Sequence, residues 1–394
     1  MVWRETAKKA ASFGLNLENA FLDGWFLSGM QISTFGAEFI KTFGEGARGI
    51  LLLGAIATGK YIADKLTNDF GFGKELIDIG RIDGLVSDAV LMPHTLEQRE
   101  NGDLKLSFFD CPFAPIVVLQ ADPMSCEICV GYFRGVTNYV TGKSAGVSRI
   151  TYPPAGDETC DFLIKYGVPH GLTRYEIKAP SPTPEYLSTL LQKNLEFVKK
   201  SYLPKAFSNP RIVDPNAGEE EKKEQALAYL IEIMSLVLRG LMMTEAYSTY
   251  TILGKGIAYR VSEKVGKEAA DLMLSGFPPV ISGWNERFSL SNSEKKAEKA
   301  AVFYSTVMKL DGEVGDGWFE VSNCLWKNMV EQMLEDPTKY EMAHLSKSEE
   351  MEAIKCGCVS CDSCLKGLIG SNGVHAEQVS CQADGADKCH WIFE

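Results

Sequence analysis

The chain has 394 residues, of which 45% are hydrophobic and 23% charged, as expected for two folded domains. Its net charge of −12 at pH 7 argues against nucleic-acid binding, which needs a basic face to neutralise phosphates. The polar N-terminus predicts no secretory signal, and the apolar run at residues 49–58 is shorter than a membrane span of about 20 residues. We therefore expect a cytoplasmic protein with no membrane insertion and no nucleic-acid partner.

The predicted elements begin with helices and continue with strands. Runs of helices followed by strands indicate an α+β domain with an antiparallel sheet. In chain order we predict a buried helix at 49–58, a strand at 104–109, a helix at 124–140, strands at 146–152 and 160–166, and a helical region at 227–274 with a break near Gly254.

Three sequence features occur twice in the same order, which predicts an internal duplication. They are a helical segment, a Gly-Asp turn followed by a strand that ends in Cys, and a cysteine-containing C-terminal part. The units would span residues 1–178 and 222–394, and residues 179–221 would form a proline-rich and acidic linker with one helix at 185–200. The matched cysteines are Cys111 with Cys324, Cys126 with Cys361, Cys129 with Cys364, and Cys160 with Cys389.

Eleven cysteines without an export signal indicate metal ligands or reactive thiols instead of disulfides. A Cys-x-x-Cys pair can turn two thiolates towards one point, and a thiolate-rich site favours zinc or an iron–sulfur cluster. For an isolated cysteine such as Cys324, a buried core position is the alternative. The predicted metal ligands are the six cysteines of the C-terminal cluster: Cys356, Cys358, Cys361, Cys364, Cys381 and Cys389.

The cysteines of the first unit allow two interpretations. The four that match cysteines of the second unit could hold a metal as well. Alternatively, Cys126, Cys129 or Cys160 is a catalytic nucleophile, provided that a neighbouring group lowers the pKa of its thiol.

The segment from Cys361-x-x-Cys364 through Cys381-Gln-Ala-Asp-Gly385 to Cys389-His-Trp-Ile resembles the end of 4-vinyl reductase domains. Members of that family bind small molecules in a bacteriochlorophyll-pathway protein and in phenol-responsive regulators. Their fold is similar to the nitric-oxide-sensing and transport-particle α+β family. The resemblance implies a zinc site at Cys381, Cys389 and one cysteine of residues 356–364, with Gln378 where the family usually has an acidic ligand.

The first unit is similar to a sister family, the aminothiazoline-carboxylate hydrolases, whose members open a thiazoline ring. The similarity lies in Cys111-Pro-Phe, in Cys126-x-x-Cys129 and in the segment from Gly156 to Cys160-Asp-Phe. It implies a cysteine-dependent hydrolase that cleaves a C–N or C–S bond of a small heterocycle.

Our leading hypothesis from the sequence is a two-domain protein that binds a small, largely apolar or aromatic molecule and holds a structural zinc ion. Such a binder would act as a homodimer or through a signalling partner protein, since we find neither an ATPase nor a DNA-binding sequence beside it. The alternatives are the hydrolase and a tetrapyrrole-handling accessory protein. A tetrapyrrole or an iron–sulfur cluster is the less favoured cofactor.

Overall fold

The computed structural model of the chain describes residues 2–120, 126–167, 176–274, 294–370 and 373–394. Long helices pack beside two four-stranded antiparallel sheets. The predicted α+β class is therefore confirmed.

The first half of the chain contains the first sheet. Asn16 begins the second helix by accepting a hydrogen bond from the Asn19 N–H, and Gly142 ends the sixth in a left-handed conformation. The strand predicted at 104–109 is confirmed, whereas the predicted helix start at Met124 lies outside the described residues. The elements are α1 (Val2–Ser12), α2 (Leu17–Phe43), α3 (Ala47–Phe70), α4 (Leu76–Ala89), β1 (His94–Gln98), β2 (Leu104–Phe109), α5 (Phe113–Gln120), α6 (Glu127–Thr141), β3 (Ala145–Arg149) and β4 (Thr159–Tyr166).

The second half of the chain contains the second sheet. The break predicted near Gly254 is confirmed, because this glycine adopts a φ of 85° and separates two long helices. The elements of this half are α8 (Glu219–Leu253), α9 (Lys255–Leu274), α10 (Glu294–Val307), β5 (Asp311–Gly315), β6 (Trp318–Asn323), α11 (Leu325–Glu335), α12 (Pro337–Tyr340), α13 (Lys347–Gly370), β7 (Ala376–Ser380) and β8 (Cys389–Phe393).

The segment between the halves contains a packed helix, α7 (Pro184–Phe207), which is longer than the predicted helix at 185–200. The Thr183 side chain caps it by accepting a hydrogen bond from the Tyr186 N–H. An apolar stripe that includes Leu187 and Leu191 is fully buried, and the helix contacts α4 and α8. This segment is therefore part of the core, because its apolar spacing outweighs the effect of the surrounding prolines.

The two sheets have the same strand order. β2 and β4 pair in the middle of the first sheet, with β1 and β3 at its edges, and β6 and β8 pair in the middle of the second, with β5 and β7 at its edges. Phe108 lies opposite Cys160 in one central pair, and Val321 lies opposite Cys389 in the other. A cysteine thus stands at the same register position in each sheet.

Helices α2 and α8 cross in the interior. A Cβ atom on Gly24 of α2 would lie 2.6 Å from the Val307 carbonyl oxygen at the end of α10 and 2.8 Å from the Met234 methyl group of α8, so the close approach of α10 to α2 requires glycine. Among the described residues α8 is long and apolar enough to span a membrane, but 89% of its apolar window is buried inside the protein.

Candidate functional site

A cavity of about 60 Å³ lies between the helices of the first half and α8 of the second. Its wall is almost entirely apolar, which makes it a dry site that favours an apolar occupant. Residues from five helices line it, among them Ile32 of α2, Val86 of α4, Phe113 and Val117 of α5, Phe133 of α6 and Leu238 of α8.

Two cysteines also line this cavity. Cys126 stands at the N-cap of α6, and Cys129 lies in the first turn of that helix. Cys111, which precedes α5, and Cys160 on β4 lie close enough for their charges to interact with Cys126. The three residues predicted as nucleophiles are therefore brought together, and Cys111 joins them.

Burial keeps three of these thiols protonated at neutral pH. It raises the pKa of Cys111 to about 12 and holds the pKa values of Cys129 and Cys160 well above the ordinary range. The neighbouring cysteines add to these shifts, whereas the Arg149 guanidinium opposes them at Cys129 and Cys160. Thiols with raised pKa values are poor nucleophiles, so Cys111, Cys129 and Cys160 are not activated.

Arg149 forms a buried ion pair beside the thiols. Its Nη2 lies 3.4 Å from the Glu127 Oε1, and both side chains are 3% exposed. Its guanidinium also stacks 4.4 Å from the ring centre of Tyr152, while Glu127 forms a second pair with Arg48 at 3.0 Å. Positive charge thus stands near the N-terminus of α6, where the helix dipole also favours an anion.

A buried acid lies near the cavity residue Tyr132. Asp83 is fully buried on α4, and neither of its carboxyl oxygens has a hydrogen-bond partner among the described residues. Burial raises the pKa of Asp83 well above its ordinary value, and the pKa of Tyr132 is raised by burial and by the nearby Asp83 charge. Asp83 is therefore held as the neutral acid.

The second half brings three thiols together. Cys389 on β8 donates a hydrogen bond to Cys381, with the two sulfurs 3.9 Å apart, and Cys358 on α13 also forms a hydrogen bond with Cys381. These contacts lower the pKa of Cys381 and raise the pKa values of Cys358 and Cys389, so Cys381 ionises first. Cys324, at the N-cap of α11, is close enough to interact with Cys358 and Cys389.

The other three predicted metal ligands have different contacts. Cys356 donates to the Lys255 carbonyl oxygen at 4.0 Å, because residues two apart on a helix project to opposite sides and Cys358 faces the cluster. Cys361 accepts a hydrogen bond from the Tyr304 hydroxyl at 3.1 Å, and Cys364 lies near Arg239. Of the six predicted ligands, the structure therefore gathers Cys358, Cys381 and Cys389.

The described residues contain no group of three or more His, Cys, Asp and Glu side chains already arranged to hold a metal ion. The donor types of the second cluster nevertheless fit zinc, which prefers thiolates. Tetrahedral ligands about 2.3 Å from zinc stand about 3.8 Å apart, close to the 3.9 Å between Cys381 and Cys389.

Three residues near these sites are absent from the sequence predictions. No sequence pattern indicated Arg149, because a single arginine in a short strand is ordinary. Asp83 and Arg239 could have been found, since each is a charged residue within an apolar helical stretch, and the structure shows that both are fully buried.

Comparison of the chain with protein-family models, with curated proteins and with solved structures gives no match.

Proposed function

We propose that this chain binds one small, largely apolar molecule in the cavity of its first half. The cavity carries the proposal, because protein cores are normally close-packed and an apolar void of about 60 Å³ needs a reason. An apolar cavity of about 150 Å³ binds benzene. An aromatic ligand therefore requires this wall to widen, whereas a smaller apolar molecule fits it as it stands. The same volume disfavours a tetrapyrrole, which is many times larger.

We also propose that the chain is a tandem duplication of 4-vinyl reductase-like units, residues 1–178 and 222–394. The turns after α4 and α10 support it, because Leu91 and Lys309 both adopt a φ of 56°. The surrounding hydrogen bonds also match. Val90 N–H donates to Val86 O as Met308 N–H donates to Tyr304 O.

The helix contacts support the duplication as well. A Cβ atom on Gly59 of α3 would meet the Tyr132 oxygen and the Val136 nitrogen of α6. A Cβ atom on Gly266 of α9 would meet two backbone atoms of α13 with the same spacing, from Ser360 and Cys364. In this correspondence the residue of the first unit that matches Cys361 lies two helical turns after Cys126. Cys126 and Cys361 are therefore not at equivalent positions, in contrast to the match predicted from the sequence.

A structural zinc ion in the second unit is part of the proposal. Cys381, Cys389 and Cys358 would supply three thiolates, and Cys324 is the neighbouring thiol that could complete a closed four-sulfur site. The ion would link β8, α11 and α13 and so stabilise the fold. The eleven free cysteines support a reducing compartment such as the cytoplasm.

A second candidate function is the ring-opening hydrolase, with Cys126 as its nucleophile. The observation that favours it is the position of Cys126, which lines the cavity at the N-terminus of α6 and lies near Arg149. A helix N-terminus and a nearby cation both stabilise a thiolate. Loss of a thiazoline substrate on incubation, abolished by Cys126→Ser, would establish this activity.

The binding proposal is tested by titrating benzene and phenol into the purified protein with calorimetric detection. We expect saturation at one equivalent and at least a tenfold loss of affinity in Val117→Phe, which fills the cavity. Leu119→Phe is the matched control, because Leu119 lies on the same helix and is 40% exposed. Absence of binding by benzene, phenol and the smaller xenon atom, or equal binding by Val117→Phe, would contradict the proposal.

A further inference from the structure

The first and second units differ at the position of the cavity. The matched turns described above make Tyr304 of α10 the counterpart of Val86, which lines the cavity in α4. A large aromatic residue thus replaces a small one at this place in the second unit.

A second pair of counterparts lies on the long helices α2 and α8. Trp25 donates a hydrogen bond to the Val90 oxygen and packs on Phe113. Ser235 donates to the Met308 oxygen and accepts from the Trp326 indole. Trp25 and Ser235 are therefore counterparts, and so are Phe113 and Trp326.

One helical turn further along, Gly29 is the counterpart of Arg239. A Cβ atom on Gly29 would lie 3.5 Å from the Phe113 ring, and the Arg239 guanidinium lies 4.5 Å from the ring centre of Trp326. Gly29 packs without a side chain against Phe113 and the Trp25 indole, whereas Arg239 extends a long side chain over Trp326, where Ser235 stands in place of Trp25.

The replacements fill the second site with buried side chains. Arg239 and Tyr304 are fully buried, and Trp326 is 2% exposed. Tyr304 is held in place by its hydrogen bond to Cys361, and Arg239 by donating to Gln31 of α2. We call the buried Arg239 and Tyr304 side chains the plug. The Nε and Nη2 atoms of Arg239 have no hydrogen-bond partner among the described residues. The plug therefore contains a buried charged group, which an apolar ligand would not displace.

We infer that Arg239 and Tyr304 close the second unit to the class of ligand that the first unit binds. The inference rests on the proposed function and on the duplication. It assigns one apolar ligand to each chain and leaves the second unit with its thiol cluster as its chemical feature. Helix α8 contributes to both sites, because Leu238 lines the open cavity of the first unit and the adjacent Arg239 fills the corresponding site of the second.

Xenon tests this inference directly, because it enters dry apolar cavities without needing a specific ligand. In crystals of the full chain under xenon pressure, we expect one site in the first unit and none between α8 and α10. The variant Arg239→Ala/Tyr304→Val should gain a second site there. Xenon in both units of the wild type would overturn the inference, and so would a folded variant without a second site.

The reverse variant, Val86→Tyr, puts the plug into the first unit and should lose the first site. Tyr304→Phe keeps the volume of the plug and should leave the second unit closed, and xenon in its second unit would also count against the inference. If the wild-type first cavity takes neither xenon nor benzene, the proposed function fails. Whether Arg239→Ala/Tyr304→Val gains a xenon site in the second unit still decides the inference about the plug.

Discussion

The sulfur atoms of Cys381 and Cys389 lie 3.9 Å apart, next to the pairing of Ser380 with His390 between β7 and β8. Two thiols at this distance can share a soft metal ion, and Cys381 is the one that ionises first. The pairing of two neighbouring strands thus brings together residues that are separated by a turn at Gly385.

We expect purified, reduced protein to hold about one zinc ion, and Cys381→Ser/Cys389→Ser to release it. Loss of a structural site removes folding energy, so Tm should fall by about 4 °C if the loss is about 3 kcal/mol. Metal analysis and calorimetry measure both effects. Cys356→Ser is the matched control, since Cys356 faces Lys255 and not the cluster. A double variant that melts like wild type would identify these cysteines as core residues.

The Glu127–Arg149 pair should be costly to break from one side. In Glu127→Gln the buried Arg149 loses this carboxylate, and we expect the free energy of unfolding to fall by about 3–5 kcal/mol. Arg149→Met should cost less, because Glu127 keeps its pair with Arg48. Urea denaturation of both variants measures the difference. Equal effects would show that Arg48 does not compensate Glu127.

Stability should depend on pH through Asp83. Its pKa is raised in the folded protein, so the folded state keeps a proton that the unfolded chain releases above about pH 3.9. From that pH up to the folded pKa, the free energy of unfolding falls by about 1.4 kcal/mol per pH unit. Asp83→Asn removes this loss and should gain stability over wild type as pH rises. Melting curves between pH 4 and 8 test it, with the exposed Asp316→Asn as control.

Two glycine substitutions should have opposite signs. Gly24→Ala places a Cβ atom 2.6 Å from the Val307 oxygen, where the end of α10 meets α2, and should cost about 1–3 kcal/mol. Gly49→Ala meets nothing within 4 Å on the exposed side of α3 and should gain about 0.5 kcal/mol from reduced chain entropy. Chemical denaturation measures both. A neutral Gly24→Ala would mean that α2 and the end of α10 can move apart without cost.

Local patterns predicted the elements of this fold well. The strand at 104–109 and the helix break at Gly254 follow from alternation and from turn chemistry, which act over a few residues. The packing of the segment between the two halves was harder to predict, because the apolar stripe of α7 is recognised as buried only once α4 and α8 supply its partners.

The site could be predicted only in part. Cys381 and Cys389 are close in sequence and meet across two paired strands. The choice among the four cysteines of α13 depends on which side of the helix faces β8, and spacing alone does not determine that. The cavity is also hidden in the sequence, since its lining includes both Phe133 and Leu238, which are more than 100 residues apart in the chain.

The proposed duplication has an evolutionary consequence at α2 and α8. In a dimer of identical chains related by a twofold axis, every substitution appears at both copies of a site. Such a dimer could not open one cavity and close the other. Under the proposed duplication, joining the two copies in one chain lets Gly29 and Arg239 be inherited as separate residues, so that one copy can keep the proposed ligand while the other is free to specialise.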